Sequence, residues 1–141
     1  FEFVQDNESK SNYGVLRGLH FQMPPYAQAK LVRVVQGEVL DVALDLRKDS
    51  PTFGEFTTAI LNDKNKHQLL IPRGFANGYA VLRDTAIFVY KIDNHYSPEH
   101  ENGIMWNDKD LAIDWQLKLS EVVLSEKDKK QIKFKDFDSP F

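Results

Sequence analysis

The sequence predicts an all-β domain built as a sandwich or a barrel. Ten Phe and five Tyr stand against only two Met, and flat, stiff side chains of this kind favour sheets over helix bundles. Between residues 30 and 91, short apolar runs alternate with turn residues, which is typical of sandwiches and barrels. A length of 141 residues, 42% hydrophobic and 28% charged, predicts one domain over residues 1–141.

Two predicted strands lie on either side of Gly37, at Lys30–Gln36 and Glu38–Arg47. Every second residue of the latter run, from Leu40 to Leu46, is aliphatic. Alternation of this kind predicts a half-buried strand with one apolar face.

Breaker residues separate the other predicted strands. Pro51 and Gly54 precede one run, a polar turn at 62–65 precedes the next, and the two glycines of residues 73–78 predict a loop. Residues 83–84 then join the last two runs in a predicted hairpin. These runs are Glu55–Leu61, His67–Ile71, Tyr79–Leu82 and Ala86–Lys91.

The last third of the chain has a different character. Residues 93–107 are rich in Asn, His, Pro and Glu, and we expect them to form an ordered, functional loop. Ser125, followed three residues later by Asp128, matches the start of a capped helix that we expect to reach about Ile132. The sequence therefore predicts a short C-terminal helix beside the strands.

The charge balance and the cysteine count exclude several classes of protein. Eighteen basic and 21 acidic residues give a net charge of −3 with mixed signs, a balance that recruits neither nucleic acid nor an anionic membrane. No apolar stretch approaches the roughly 18 residues of a membrane span. Because there is no cysteine, disulfides, zinc–thiolate sites and thiol nucleophiles are excluded, and the cytoplasm is the expected compartment.

The four histidines do not predict a metal site. Only His95 and His100 share a local segment, and no His-x-His or Glu-x-x-His pair occurs. A metal-dependent β-barrel needs two or three imidazoles and a carboxylate that converge from adjacent strands. We therefore expect no bound metal.

Four residues could take part in chemistry without a metal, and each also has a purely structural explanation. His20 lies among apolar residues near a glycine that leaves room for a ligand, but a half-buried strand histidine looks the same. Lys30 and Tyr90 stand at strand ends, where a solvated lysine and a core tyrosine are both common. Asp128 is explained by helix capping. No single residue identifies a function.

Three sequence blocks are more specific because they occur together and in order: RGLHFQ at 17–22, PRGFA at 72–76 and WND at 106–108. Further matching segments lie at 3–7, 30–33, 37–38, 45–54, 90–91, 96–99 and 113–115. Together they resemble the dTDP-4-dehydrorhamnose 3,5-epimerases. The resemblance covers nearly the whole chain and implies a cupin-type jelly-roll β-barrel, with the family's additional N-terminal strands missing from residues 1–141.

The resemblance implies an isomerase that needs no cofactor. Its substrate is a nucleotide-linked 4-keto-6-deoxyhexose, dTDP-4-dehydro-6-deoxyglucose, and its product is dTDP-4-dehydrorhamnose. The C3 and C5 hydrogens of such a sugar are acidic because their removal leaves an enolate on the C4 oxygen. The implied catalytic residues are His20 as general base, Asp128 as the carboxylate that orients it, Lys30 beside the oxyanion and Tyr90 as general acid.

Contacts to the substrate are implied as well. Arg17, Gln5 and Asn7 match ligand-contacting positions, and Tyr96 matches an aromatic residue that stacks on the base. Lys30 is also expected to touch the sugar. Asn77 stands where the family usually has histidine, and its amide is expected to donate to a phosphate without carrying charge. The residues themselves do not distinguish dTDP from GDP or UDP as the nucleotide that carries the sugar.

We further expect a homodimer that buries sheet edges between its subunits. Three alternatives remain beside the double epimerase. One is a single-carbon epimerase or a 3,4-ketoisomerase that works through the same enolate. The second is a non-catalytic sugar-nucleotide-binding cupin, and the third is a metal-dependent cupin oxygenase or isomerase.

Overall fold

The computed structural model describes residues 1–141 and contains nine β-strands, which we name β1 to β9 in chain order. The strands are Gln5–Asn12, Leu16–Gln22, Lys30–Gln36, Glu38–Asp45, Phe56–Asn62, Gln68–Ile71, Phe75–Val81, Thr85–Ile92 and Glu101–Gly103.

The strands form two antiparallel sheets that face each other. One has four strands in the order β1-β8-β3-β6, and the other has five in the order β5-β4-β7-β2-β9. The chain crosses from one sheet to the other between β3 and β4, at Gly37. Glycine is required there, because φ is 88° and an added Cβ would lie 2.0 Å from the Thr85 carbonyl oxygen. The arrangement confirms the predicted all-β, jelly-roll fold.

The five-stranded sheet is covered on both of its faces. Between the sheets, Val39 and Ala43 of β4 pack with Tyr79 and Phe88 in one apolar cluster. On the opposite face, the leucines of β4 pack with Trp106, Trp115 and the other residues of a second cluster. The prediction of a half-buried strand at 38–47 was therefore wrong: the C-terminal third of the chain covers the leucine face, and the face of Asp41 and Ala43, which alternation alone assigns to solvent, is buried against the four-stranded sheet.

The predicted hairpin around residues 83–84 does not form. β7 lies between β4 and β2, whereas β8 lies between β1 and β3 in the other sheet. Both strands alternate, but alternation shows which residues face inward and not which strand is the neighbour. The predicted loop at 73–78 is also shorter than expected, since β7 begins at Phe75 and Asn77 therefore belongs to a central strand.

The C-terminal segment lacks the predicted helix of residues 125–132. A single 3₁₀ turn, Asp128–Lys130, takes its place. Lys127, not Ser125, is the N-cap of this turn, although the Ser125 carbonyl and hydroxyl oxygens accept from the Asp128 amide at 3.1 and 3.2 Å. Farther on, Phe137 and Phe141 pack edge-on against Phe21, so the tail belongs to the hydrophobic core. No helix is long and apolar enough to span a membrane.

Candidate active site

A cavity of about 390 Å³ opens between the two sheets. Both sheets contribute to its wall, and polar and apolar side chains line it together. Asp128 lies behind the cavity wall. All the other predicted site residues line the cavity: Gln5, Asn7, Arg17, His20, Lys30, Asn77, Tyr90 and Tyr96.

The centre of the site is a contact between His20 and Asp128. His20 Nε2 lies 2.5 Å from Asp128 Oδ1, and Asp128 Oδ2 accepts from the Gly18 amide at 3.2 Å. Burial opposes ionisation of the Asp128 carboxyl, but its hydrogen bonds to His20, Gly18 and Gln131 outweigh burial and lower its pKa. An ionised carboxylate can only accept, so Nε2 is the donor of this contact, and in the neutral imidazole Nδ1 is the nitrogen that can accept a proton.

A β-bulge explains why Arg17 and His20 both line the cavity. Arg17 is paired with Tyr79, and His20 with Asn77, so three steps along β2 match only two along β7. Without the extra residue, side chains three positions apart would point to opposite faces of the sheet. Gly18 lies inside the bulge, where its φ is 135° and an added Cβ would meet Gly78 Cα at 2.6 Å. The glycine of RGLHFQ is therefore needed for the geometry of the site.

Lys30 and Tyr90 reach the cavity from the opposite sheet. They lie on neighbouring strands, β3 and β8, and Lys30 Nζ is 5.7 Å from the centre of the Tyr90 ring. Burial lowers the pKa of Lys30 and raises that of Tyr90. The Tyr90 hydroxyl therefore stays protonated at neutral pH and can donate a proton. An imidazole from one sheet thus shares one cavity with an ammonium and a phenol from the other.

The edge strand β1 closes one side of the cavity with polar residues. Gln5, Asn7 and Ser9 alternate along the strand and all line the cavity. Asn7 is paired with Tyr90 in the sheet register. Because these inward positions are polar, β1 has no apolar alternation, and its strand character is invisible to pattern analysis.

The structure gives Asn77 a different role from the predicted phosphate donor. Its amide nitrogen donates to Asp41 Oδ1 at 2.8 Å and to the Val42 carbonyl at 3.1 Å. Both amide hydrogens are therefore used inside the protein, and the predicted donation to a phosphate was wrong. Asp41 is completely buried, and its Oδ2 atom has no hydrogen-bond partner. Burial raises the pKa of Asp41 well above its ordinary value.

Tyr96 stands at the cavity mouth with 54% of its surface exposed. The peptide groups around it are held by Gln22, whose amide donates to the His95 carbonyl at 3.1 Å and accepts from the Ser97 amide at 2.8 Å. Gln22 itself is only 3% exposed. The exposed aromatic ring is therefore carried by a fixed backbone.

Sequence reasoning missed two charged residues of the cavity, Glu101 and Lys127, which form an ion pair. Glu101 lies in the irregular region that was predicted only as a functional loop, and Lys127 directly precedes Asp128. Because Lys127 is next to Asp128 in the sequence, its presence in the site could have been predicted. Nothing in the sequence places Glu101 beside Lys127. No group of three or more His, Asp or Glu side chains is close enough to hold a metal ion.

Comparison with known proteins assigns the sequence and the fold to a family. A family model described as dTDP-4-dehydrorhamnose 3,5-epimerase matches residues 1–136. The dTDP-4-dehydrorhamnose 3,5-epimerase of Shigella flexneri is 57% identical over 137 residues, which are 97% of this chain and 75% of that enzyme.

Solved structures agree with this result. The dTDP-4-dehydrorhamnose 3,5-epimerase from Elizabethkingia anophelis NUHP1 is 53% identical, superposes with a TM-score of 0.94, and is matched over 96% of this chain and 74% of its own. The dTDP-6-deoxy-D-glucose-3,5-epimerase from Legionella pneumophila Philadelphia 1, in complex with dTDP-4-keto-L-rhamnose, is 50% identical with a TM-score of 0.93, over 97% of this chain and 72% of its own.

These matches confirm the resemblance carried by the RGLHFQ, PRGFA and WND blocks. The chain belongs to the dTDP-4-dehydrorhamnose 3,5-epimerase family of isomerases.

Proposed function

We propose that this chain epimerises a nucleotide-linked 4-keto-6-deoxyhexose at C3 and C5, converting dTDP-4-dehydro-6-deoxyglucose to dTDP-4-dehydrorhamnose. One observation carries the proposal: His20 enters the cavity from one sheet, and Lys30 and Tyr90 enter from the other. A sugar ring between the sheets has a base on one side and an acid on the other. Inversion of a carbon next to a ketone needs this pair.

The first step is removal of a proton from carbon. Nδ1 of His20 accepts the proton of C3 or C5, while Nε2 keeps its hydrogen bond to Asp128. The buried carboxylate fixes the tautomer and stabilises the imidazolium that forms. The electrons of the C–H bond form a C=C bond to C4, and the negative charge of the enolate develops on the C4 oxygen.

Lys30 is placed to stabilise this oxyanion. It lies in the cavity next to the Tyr90 ring. A cation in a partly dry site interacts more strongly with developing negative charge than it would in water. Lys30 therefore lowers the barrier to enolate formation.

Tyr90 completes the inversion. Its raised pKa keeps the hydroxyl protonated, and it donates that proton to the carbon from the face opposite His20. The C4 ketone reforms, and solvent exchange returns Tyr90 and His20 to their starting protonation states. The same cycle at the second carbon gives the doubly inverted sugar.

The nucleotide end of the substrate is assigned to the polar mouth of the cavity. Arg17 is exposed there and can bind a diphosphate oxygen pair in a bidentate manner. Gln5 and Asn7 offer amide groups from the edge strand, and Tyr96 offers an exposed ring for the base. The dTDP-sugar bound to the Legionella enzyme supports dTDP as the carrier.

We propose further that residues 1–141 act as one epimerase domain and that the chain forms a homodimer in the cytoplasm. The four-stranded sheet ends at β1 and β6, whose outer edges have no partner strand within one chain. Leu70 on β6 is 45% exposed. Open edges and exposed apolar side chains favour pairing with a second copy. A chain without cysteine needs no oxidising compartment.

Product analysis after turnover in deuterium oxide tests the proposed reaction. The purified protein is incubated with dTDP-4-dehydro-6-deoxyglucose, and the product is examined by NMR. Deuterium at both C3 and C5, with both centres inverted, is the expected result. Label and inversion at C3 alone would assign the chain to the single-carbon epimerases, and binding without turnover would make it a non-catalytic cupin.

A further inference from the structure

The residues that follow Asp128 are docked on the end of β9 and the residues just after it. The Met105 amide donates to the Ile132 carbonyl at 2.8 Å, and Ile104 and Ile132 form an isolated parallel bridge. The turn that contains Asp128, Asp128–Lys130, is only three residues long, and so short a helical element is not stable by itself. The position of Asp128 therefore depends on how its neighbours in the chain are docked.

Gln131 makes a close side-chain contact in this docking. A Cβ added to Gly103 would lie 2.5 Å from Gln131 Cδ, 2.7 Å from Nε2 and 2.8 Å from Oε1. The amide group of Gln131 therefore lies directly on the Gly103 backbone and occupies the space that a side chain would need. Gly103 is buried, and its φ is not positive. Glycine is required at this position for space and not for an unusual backbone conformation.

The same glycine lies opposite the catalytic histidine. β9 pairs with β2 in the register His20↔Gly103. From its place on Gly103, the Gln131 amide donates to the Asp128 carboxylate, and this hydrogen bond helps to lower the Asp128 pKa. Asp128 Oδ1 in turn lies 2.5 Å from His20 Nε2. These four residues thus form a closed ring of contacts that joins the C-terminal segment to the sheet.

We propose that Gln131 is a positioning residue: its amide, seated on Gly103, holds Asp128 in contact with His20. This inference rests on the proposed function, in which His20 and Asp128 act as a pair. Gln131 does not line the cavity, so it acts through Asp128 and not through a contact with the substrate. An error of about 1 Å in the placement of a catalytic group can cost about a hundredfold in rate.

Two substitutions of Gln131 test the hydrogen bond to Asp128. Gln131→Met keeps a side chain of similar length and removes the amide donor. We expect it to lower kcat for dTDP-4-dehydro-6-deoxyglucose about tenfold to a hundredfold and to change KM less than about twofold. Gln131→Glu keeps the shape but places a second carboxyl group beside Asp128, where like charges oppose ionisation, and its kcat is expected to fall at least as far. Gln36→Met, the same change at an exposed glutamine of β3, is the control and is expected to behave as the wild type.

Substitution of Gly103 tests the seat from the other side. The methyl group of Gly103→Ala collides with the Gln131 amide, and kcat is expected to fall about tenfold to a hundredfold. The Gly103→Ala/Gln131→Ala double variant lacks the colliding side chain. It is expected to be as active as Gln131→Ala alone, because both changes act through one contact. Losses that multiply in the double variant would overturn the inference, since Gly103 would then act independently of Gln131.

A second readout needs no turnover. The short His20–Asp128 contact is expected to give a downfield imidazole N–H proton signal in NMR spectra of the ligand-free protein, which Gln131→Met weakens and Gln36→Met leaves unchanged. Wild-type kcat and an unchanged signal in Gln131→Met would overturn the inference. So would a rise in KM at constant kcat, since Gln131 would then serve ligand binding. If the wild type shows no turnover, the proposed function fails, and the NMR signal still decides whether Gln131 positions Asp128.

Discussion

His20 Nε2 lies 2.5 Å from Asp128 Oδ1, although 108 residues separate them in the chain. The contact joins a strand of the five-stranded sheet to a short turn near the C-terminus. Because Asp128 is 1% exposed and accepts hydrogen bonds at both oxygens, it holds the imidazole in one orientation and one tautomer. The proposed role of His20 as the base depends on this arrangement.

Replacement of His20 by alanine is expected to lower kcat by about 10²- to 10⁴-fold, the contribution that a positioned proton-transfer group makes. Binding of the nucleotide sugar is expected to change little, because Arg17 and Tyr96 are untouched. Stopped turnover assays and isothermal titration measure the two effects. His67→Ala, at an exposed histidine outside the cavity, serves as the control, and a similar loss in both variants would refute the role of His20.

Lys30→Met removes the cation beside the proposed oxyanion. The loss of one such group is expected to lower kcat about 10²- to 10³-fold. Lys30→Arg keeps the charge and is expected to retain more activity than Lys30→Met. Lys48→Met, at an exposed lysine outside the cavity, controls for the loss of a positive charge. Equal kcat values for Lys30→Met and the wild type would show that another group stabilises the enolate.

Gln22→Ala is expected to act on KM rather than kcat. The Gln22 side chain holds the peptide groups on both sides of Tyr96, and its loss frees the exposed ring. We expect KM to rise about tenfold, which corresponds to about 1.4 kcal/mol of binding. Gln36→Ala, at an exposed glutamine on β3, is the control. A fall in kcat at constant KM would instead link Gln22 to the chemical step.

Asp45→Asn is expected to destabilise the fold in a pH-dependent way. Burial opposes ionisation of Asp45, but its hydrogen bonds from Arg47, Ser50 and Thr52 outweigh burial and hold its pKa well below the ordinary 3.8. A group whose pKa is lower in the folded protein stabilises the fold at every pH above its pKa in the unfolded chain. This stabilisation is lost as the pH falls from that pKa through the lower pKa of the folded state.

At neutral pH we expect the Asp45→Asn change to lower the free energy of unfolding by about 2 kcal/mol. The difference from the wild type is expected to shrink below about pH 4. Urea unfolding at several pH values measures both effects, with Asp49→Asn at an exposed position as the control. A difference that is constant with pH would mean that the Asp45 charge does not contribute.

Local pattern predicted much of the fold. The runs that became β3 to β6 and β8 carry alternating or continuous apolar residues between breakers, and their positions agree with the strands to within about two residues. Partner choice could not be predicted in the same way. The strands on either side of residues 83–84 lie in different sheets, because each pairs with strands distant in sequence. β1 was missed as a strand because its inward side chains are polar.

The site residues likewise fall into those that the sequence predicts and those that only the fold reveals. His20, Lys30 and Tyr90 were found because whole sequence blocks resemble a family, and no property of each residue alone separated it from a structural residue. The role of Asn77 as a phosphate donor was misassigned, because only the fold shows that Asp41 lies beside it and accepts a hydrogen bond from its amide. The role of Gly18 was equally hidden, because a bulge depends on the register between two strands.

The most direct test of the central claim is turnover by Tyr90→Phe in deuterium oxide. If His20 and Tyr90 act from opposite faces, His20 still removes the proton and returns a deuteron to the same face. We therefore expect deuterium to enter recovered substrate without inversion, while product formation falls about 10²- to 10⁴-fold. Inversion at the wild-type rate in Tyr90→Phe would contradict the account, because the proton donor would then be another group.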